Sequence, residues 1–147
     1  MKLFNLRVYG LLINSKDEIL LSDEYRFETF FTKFPGGGVE YGEGILDALK
    51  REFKEELNVE ITSSEFLFFN DFFQESSFHK NIQVTCFYYL VKCTDMNHLG
   101  KENYEIPLLE NGEKQRWVSF ATLSPKTLRF PTDRMALKAL KKRLFSS

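Results

Sequence analysis

Apolar and polar positions change rhythm several times along the 147 residues. From Leu3 to Ile13 the chain is apolar apart from Arg7 and a few small or polar residues, and it reads as a strand. Ser15-Lys16-Asp17 supplies a turn, and Glu18 to Leu21 a second strand. The stretch from Ser22 to Lys33 mixes polar and aromatic residues without a period and reads as a loop. Phe34-Pro35-Gly36-Gly37-Gly38 then breaks regular structure. In the next segment Leu46, Leu49, Phe53 and Leu57 recur at spacings of three and four. That single apolar stripe predicts a helix over Ile45 to Leu57. Asn58 follows where a left-handed C-cap belongs. Phe66 to Phe73 and Ile82 to Lys92 read as long strands, Thr94 to Gln115 as a polar loop, and Trp117 to Phe120 as a short strand. Thr132 to Phe145 reads as a terminal helix with a basic end. Strands and helices alternate irregularly, which predicts an α/β fold, a mixed sheet covered by helices, formed by residues 1–147 as one domain.

Composition narrows the partners. Lys plus Arg (20) nearly balances Asp plus Glu (21), a net charge of -1. The chain as a whole therefore projects no field toward nucleic acid or an anionic membrane, and neither is expected as a partner. A polyanionic small molecule would need a local device to hold it. The 16 Phe are the one unusual feature, and most are expected in the core. No stretch approaches the ~20 apolar residues of a membrane span, and the N-terminus lacks a leader's cleavage site. Cys86 and Cys93 fall in one predicted strand on opposite faces, too badly placed to bridge, so a reducing cytoplasm is the expected compartment.

The chemistry concentrates in Gly36-Gly37-Gly38-Val39-Glu40-Tyr41-Gly42-Glu43 and Arg51-Glu52-Phe53-Lys54-Glu55-Glu56. Glu52, Glu55 and Glu56 stand at i, i+3 and i+4, on one sector of the predicted helix beside its apolar stripe. Like charges so close repel, and a hard divalent cation such as Mg²⁺, which prefers oxygen ligands, relieves that. The glycines Gly37 and Gly38 let backbone amides and carbonyls approach a phosphate or metal closely. An acidic pair alone is usually a solvated face and a glycine run usually an empty loop. The joint pattern is far more specific.

This segment resembles the Nudix hydrolase box, G-x5-E-x7-R-E-U-x-E-E-x-G-U with U a bulky apolar residue. Gly37, Glu43, Arg51, Glu52, Phe53, Glu55, Glu56 and Val59 match in register, and Asn58 replaces the family's late glycine. Asn tolerates the left-handed conformation, so the departure carries little weight. Trp117-Val118-Ser119 also looks like the family. The resemblance implies an α/β/α sandwich with a mixed β-sheet and a loop-helix-loop catalytic motif. It implies Mg²⁺ or Mn²⁺ held by Glu52, Glu55, Glu56 and the Gly36 carbonyl, and a Glu43–Arg51 pair orienting helix and loop. It implies hydrolysis of a phosphoanhydride bond in a nucleoside diphosphate derivative. Dimers are common in the family, so a homodimer is within range.

Two roles stay open in the sequence. The general base is expected from Glu52 or Glu55, or from the loop before Trp117. There Glu110, seven residues upstream, is the first choice and Glu113 the second. Nucleobase contacts are expected from Phe34 or its neighbours Phe27, Phe30 and Phe31, unless these rings are core. Asp133 sits where some purine-triphosphate-cleaving relatives read the base, or else caps the last helix. Arg26, Lys33 and Arg129 are candidate phosphate contacts. A nucleoside triphosphate is the expected substrate, with nucleotide sugars, ADP-ribose and dinucleoside polyphosphates as alternatives. A catalytically silent nucleotide sensor and a prenyl-diphosphate isomerase are rival classes. The sensor is disfavoured by the complete set of box acids, and the isomerase by cysteines without an acidic setting.

Overall fold

The computed structural model describes residues 1–145. Seven strands and two helices follow in the order β1 (Leu3–Leu12), β2 (Glu18–Arg26), β3 (Thr29–Lys33), β4 (Gly36–Gly38), α1 (Ile45–Leu57), β5 (Ile61–Phe69), β6 (Ile82–Cys93), β7 (Gly112–Ser119) and α2 (Pro131–Phe145). They form a mixed four-stranded sheet, β4-β1-β6-β5, and an antiparallel three-stranded sheet, β3-β2-β7. β1 and β6 run parallel in the centre of the larger sheet. The mixed sheet with α1 on one face and α2 on the other is the expected α/β/α arrangement.

Alternation along β1 divides the interior into two cores. Val8 and Leu12 point toward α1, where Ala48, Leu49, Phe53 and Leu57 bury the helix stripe. Tyr9 and Leu11 point the other way, into the cluster formed with Tyr88, Phe34 and the α2 residues Ala136, Leu137 and Leu140. Gly10 lies under the Phe53 ring; a Cβ there would stand 2.5 Å from it. The central helix is thus seated directly on the strand that borders the glycine loop. Its start is fixed by the Asp47 carboxylate, which accepts from the Gly44 N–H at 3.1 Å. It ends on Asn58 at φ 53° and ψ 45°, the left-handed cap expected there.

Four expectations are corrected. Ser22 to Lys33 is a hairpin, because Phe27 and Glu28 both adopt positive φ, 54° and 58°, as a two-residue turn between twisted strands requires. Gly36–Gly38 is itself a strand, paired antiparallel with Arg7–Tyr9. β7 begins at Gly112, since the longer β2 offers it partners as far as Tyr25. β5 starts earlier and stops at Phe69, where the Asn70 side chain takes over the ladder by bonding the Val84 carbonyl and the Cys86 N–H.

Candidate active site

The loop and α1 are locked together by Arg51. Its guanidinium donates to both Glu43 oxygens at 2.6 and 3.0 Å, a bidentate pair. It also donates to the Gly38 carbonyl at 3.0 Å, to Glu52 at 3.0 Å and to Glu55 at 3.3 Å. One side chain therefore ties the loop backbone to two box acids. The bond from Arg51 holds Glu43 below the usual carboxylate range. Glycine is needed at two positions of the loop. Gly36 has φ +144° and a Cβ there would lie 2.1 Å from the Val8 carbonyl; a Cβ on Gly37 would lie 2.7 Å from the Glu52 carboxylate.

Glu52 is almost covered and Glu55 is largely exposed, with side chains 12% and 61% accessible. Glu56 turns inward beside Glu52. Burial, together with Glu52 and Glu113, pushes Glu56 up to about 9, against the pull of Lys33. Burial and the neighbouring Glu24 also raise Glu113. One Glu113 oxygen is buried without a hydrogen bond, since its nearest cation, Arg26, stands 3.6 Å away. Glu113 faces Glu24 across the β2–β7 ladder. Glu24, Glu52, Glu56 and Glu113 thus form an acidic cluster at the base of the loop. Among the described residues no three acid, His or Cys side chains already converge as a metal cage. The donor set nevertheless fits a hard divalent cation: all oxygen, in excess of local positive charge, and with an unpartnered buried carboxylate oxygen.

Lys33 lies against this cluster and is 5% exposed. Its ammonium pairs with Glu24 at 3.0 Å and donates to the carbonyls of Phe34 at 3.1 Å and Gly36 at 3.3 Å. Burial alone would discharge both partners, yet the pair keeps Lys33 above and Glu24 below their ordinary values. The Gly36 carbonyl, the backbone oxygen expected to face a metal, is therefore already shared with an internal cation.

Beyond Lys33 opens a cavity of about 220 Å³. Its inner wall carries Arg7, Glu24 and Lys33; its outer wall carries Phe27, Phe31, Phe78 and Phe130. Phe78 is the hub of the aromatic wall, 5.1 Å from both Phe27 and Phe31 and 5.9 Å from Phe130. Arg7 donates to the Tyr9 hydroxyl at 2.6 Å, and among the described residues no carboxylate stands within ion-pair distance of it. Phe27 is held at the mouth by the left-handed turn of the β2–β3 hairpin.

Several expected site residues lie elsewhere. Glu110 sits on the distal turn, where its carboxylate accepts from the Glu28 N–H at 3.3 Å; Glu113, three residues on, faces the box acids instead. Phe34 is fully buried in the α2-side core, so its ring offers no stacking surface. Phe30 is exposed and stacks on Tyr25 at 4.1 Å, outside the cavity. Asp133 is fully buried and caps no helix: it accepts from the Phe34 N–H at 3.3 Å and from the Tyr88 hydroxyl. Burial pushes its carboxyl up to about 6. Arg129 lies on the far side of β3, at a shallow depression with Lys126 and Arg134. Sequence reading missed Arg7, Tyr9, Phe78 and Phe130. Only Arg7, a charge interrupting an apolar strand, left a signal.

The family model of the NUDIX domain matches residues 3–139. The chain belongs to the Nudix family. It is a hydrolase of the class that acts on pyrophosphate bonds, and members generally use divalent metals. Solved structures share the fold at low identity. A Nudix hydrolase from Nitrosomonas europaea aligns with TM-score 0.72 and 17% identity, over 95% of this chain and 89% of that one. A MutT Nudix hydrolase from Burkholderia pseudomallei aligns with TM-score 0.70 and 19% identity, over 93% and 98%. An ADP compounds hydrolase aligns with TM-score 0.69 and 18% identity, over 96% and 73%. No curated protein matches the sequence significantly. Among the described residues no helix is long and apolar enough to cross a membrane.

Proposed function

We propose that this Nudix hydrolase cleaves a phosphoanhydride bond of a nucleoside triphosphate, with Mg²⁺ or Mn²⁺ as cofactor. The observation that carries the reading is the adjacency of three unlike surfaces. An acidic cluster beside the box abuts a cavity whose inner wall carries the unpaired Arg7 and whose outer wall is aromatic. A nucleotide needs all three surfaces.

The residues suited to hold the cation are Glu52, Glu55, Glu56 and the Gly36 carbonyl. Bound there, a divalent ion supplies charge neutralisation of the phosphate oxygens and a more acidic water. The chain's own contributions are positional and protolytic. Arg7, with no carboxylate partner among the described residues, offers positive charge to the phosphates from within a covered site, where it is poorly screened by water. Phe27, Phe31 and Phe78 offer the base apolar faces to stack on. Arg51 keeps Glu52 and the Gly38 carbonyl in register. Glu113, covered and with a raised proton affinity, is the acid best suited to accept the proton of the attacking water, ahead of Glu52. The unpaired thiols Cys86 and Cys93 suit a reducing cytoplasm.

The test is a turnover screen with Mg²⁺ and with Mn²⁺ over nucleoside triphosphates, nucleotide sugars, ADP-ribose and dinucleoside polyphosphates, with products separated by chromatography. Release of pyrophosphate and a nucleoside monophosphate from triphosphates supports the proposal. Preferential cleavage of ADP-ribose or a nucleotide sugar replaces the substrate class. Nucleotide binding without turnover of any of them makes the protein a sensor.

A further inference from the structure

The strands beneath the cavity set the order of groups on its floor. Odd-numbered residues of β1 face it, so Arg7 and Asn5 stand in one row, about 7 Å apart along the strand. Arg7 is level with the box loop, since its register partner is Gly38. Asn5 lies one step beyond, past the end of the β4 pairing, and its partner on β6 is Val84. On the far side of Val84 comes Gln74, whose carbonyl accepts from the Val84 N–H at 2.9 Å. Asn5, Val84 and Gln74 all line the cavity. This row across the sheet is one apolar side chain between two carboxamides, whose backbones stand roughly 10 Å apart, two strand spacings. With distance from the box, the floor passes from a guanidinium to a pair of neutral amides.

A nucleotide has the same order: phosphates, sugar, base. With its phosphates beside the box and Arg7, the nucleotide proposed above as substrate brings its base to the amide row, against the rings of Phe31, Phe78 and Phe130. Both amides have hydrogen-bonding capacity to spare. Among the described residues the Asn5 amide makes no hydrogen bond, and Gln74 spends one N–H on the Glu75 carbonyl at 3.0 Å. Each therefore presents a donor beside an acceptor. A base that satisfies both needs a donor next to an acceptor on two of its edges. Adenine has this: its N6 amino group carries two N–H bonds and lies between the acceptors N7 and N1. The N7/O6 edge of guanine offers acceptors only and leaves one amide oxygen unpaired. Uracil has a single N–H between its two carbonyls, and cytosine a single edge of the required kind, so a pyrimidine satisfies one amide.

We infer that the protein selects adenine nucleotides, and that Asn5 and Gln74 are the residues that read the base. The inference rests on the nucleotide reading of the cavity and adds to it which base is taken and by which side chains.

Two measurements on the full chain test it. Steady-state kinetics with Mg²⁺ compare ATP and dATP with GTP, CTP and UTP. Wild type is expected to favour the adenine nucleotides at least about tenfold in kcat/KM, the weight of one bidentate amide contact. Asn5→Leu and Gln74→Met keep the approximate size of each side chain and remove its amide. Each is expected to bring that ratio within about threefold, through a higher KM for ATP and a smaller change for GTP. Circular dichroism checks that each variant folds. Calorimetric titration with AMP and with GMP needs no turnover, and so separates the inference from the reaction it rests on. Tighter binding of AMP, weakened in both variants, supports the inference even where no triphosphate is cleaved. A wild type that is indifferent to the base or favours another one overturns it. So does a preference for adenine that survives in both variants.

Discussion

The box and the cavity wall are built on opposite plans. The box is contiguous: residues 36–59 supply the loop, the helix, three acids and the arginine that organises them. Its geometry follows from one apolar stripe docked on β1 and one guanidinium making five hydrogen bonds. The cavity wall is assembled from five separate stretches, near residues 5–9, 24–33, 74–79, 84–86 and 130–132. No short segment holds it; its rings lean on one another through Phe78. A contiguous, over-determined site suits chemistry that is the same for every substrate. A wall gathered from loops and strand ends can change without disturbing that chemistry, which is where selection among nucleotides belongs.

The contrast is open to breaking, and the largest effect is expected where the box meets the core. Phe53→Ala removes the ring that seats α1 on Gly10 and should cost about 3–5 kcal/mol of stability, read by denaturant unfolding. A near-neutral value would mean that the helix is held by Arg51 and not by its stripe.

The second prediction concerns Asp133, which joins β3 to α2 behind the wall. Its carboxyl is raised by burial from 3.8 to about 6, with Lys33 and Arg7 pulling it down and Tyr88 bonded to it. The folded protein therefore binds a proton there more tightly than the unfolded chain does. That contribution is fully present below about pH 4 and is lost as the pH rises through about 6. Compared with Asp133→Asn, wild-type stability should fall by up to about 3 kcal/mol across that window, at ~1.4 kcal/mol per unit. Parallel pH profiles for the two proteins would show that Asp133 is not burdened by its burial.

A smaller effect is expected at the wall. Arg7→Gln should raise KM about tenfold with kcat nearly unchanged, as loss of a charge-assisted phosphate contact worth ~1.5 kcal/mol would do. A fall in kcat at constant KM would move Arg7 into the chemistry. Two neighbouring acids should separate sharply, one of them giving the smallest effect of all. Glu110→Gln should leave turnover within about twofold, whereas Glu113→Gln should lower it by about 10²-fold or more. The reverse ranking would restore the acid nearer the turn.

How far each region could be read from the sequence follows the same division. α1 was legible from Ile45 to Leu57, and so was its left-handed cap, because period, acids and cap residue lie in one stretch. The β2–β3 hairpin was hidden, since its turn uses Phe27 and Glu28 where Gly or Asn would have signalled positive φ. β4 was hidden because three glycines carry no apolar pattern. The choice between Glu110 and Glu113 turned on where β7 begins, and that depends on how far β2 extends to pair with it. Asp133 reads in sequence as a base contact or a helix cap, and only the packing of α2 against Tyr88 and Phe34 shows it buried.

The central claim is that the box acids drive metal-dependent cleavage, and its most direct test is Mg²⁺-dependent nucleoside triphosphate turnover by wild type and Glu52→Gln side by side. Wild type should release pyrophosphate only when Mg²⁺ is present, and the folded variant should lose at least about 10²-fold of that rate. Equal rates in the two proteins, or a wild-type rate indifferent to removal of the metal, would contradict the account.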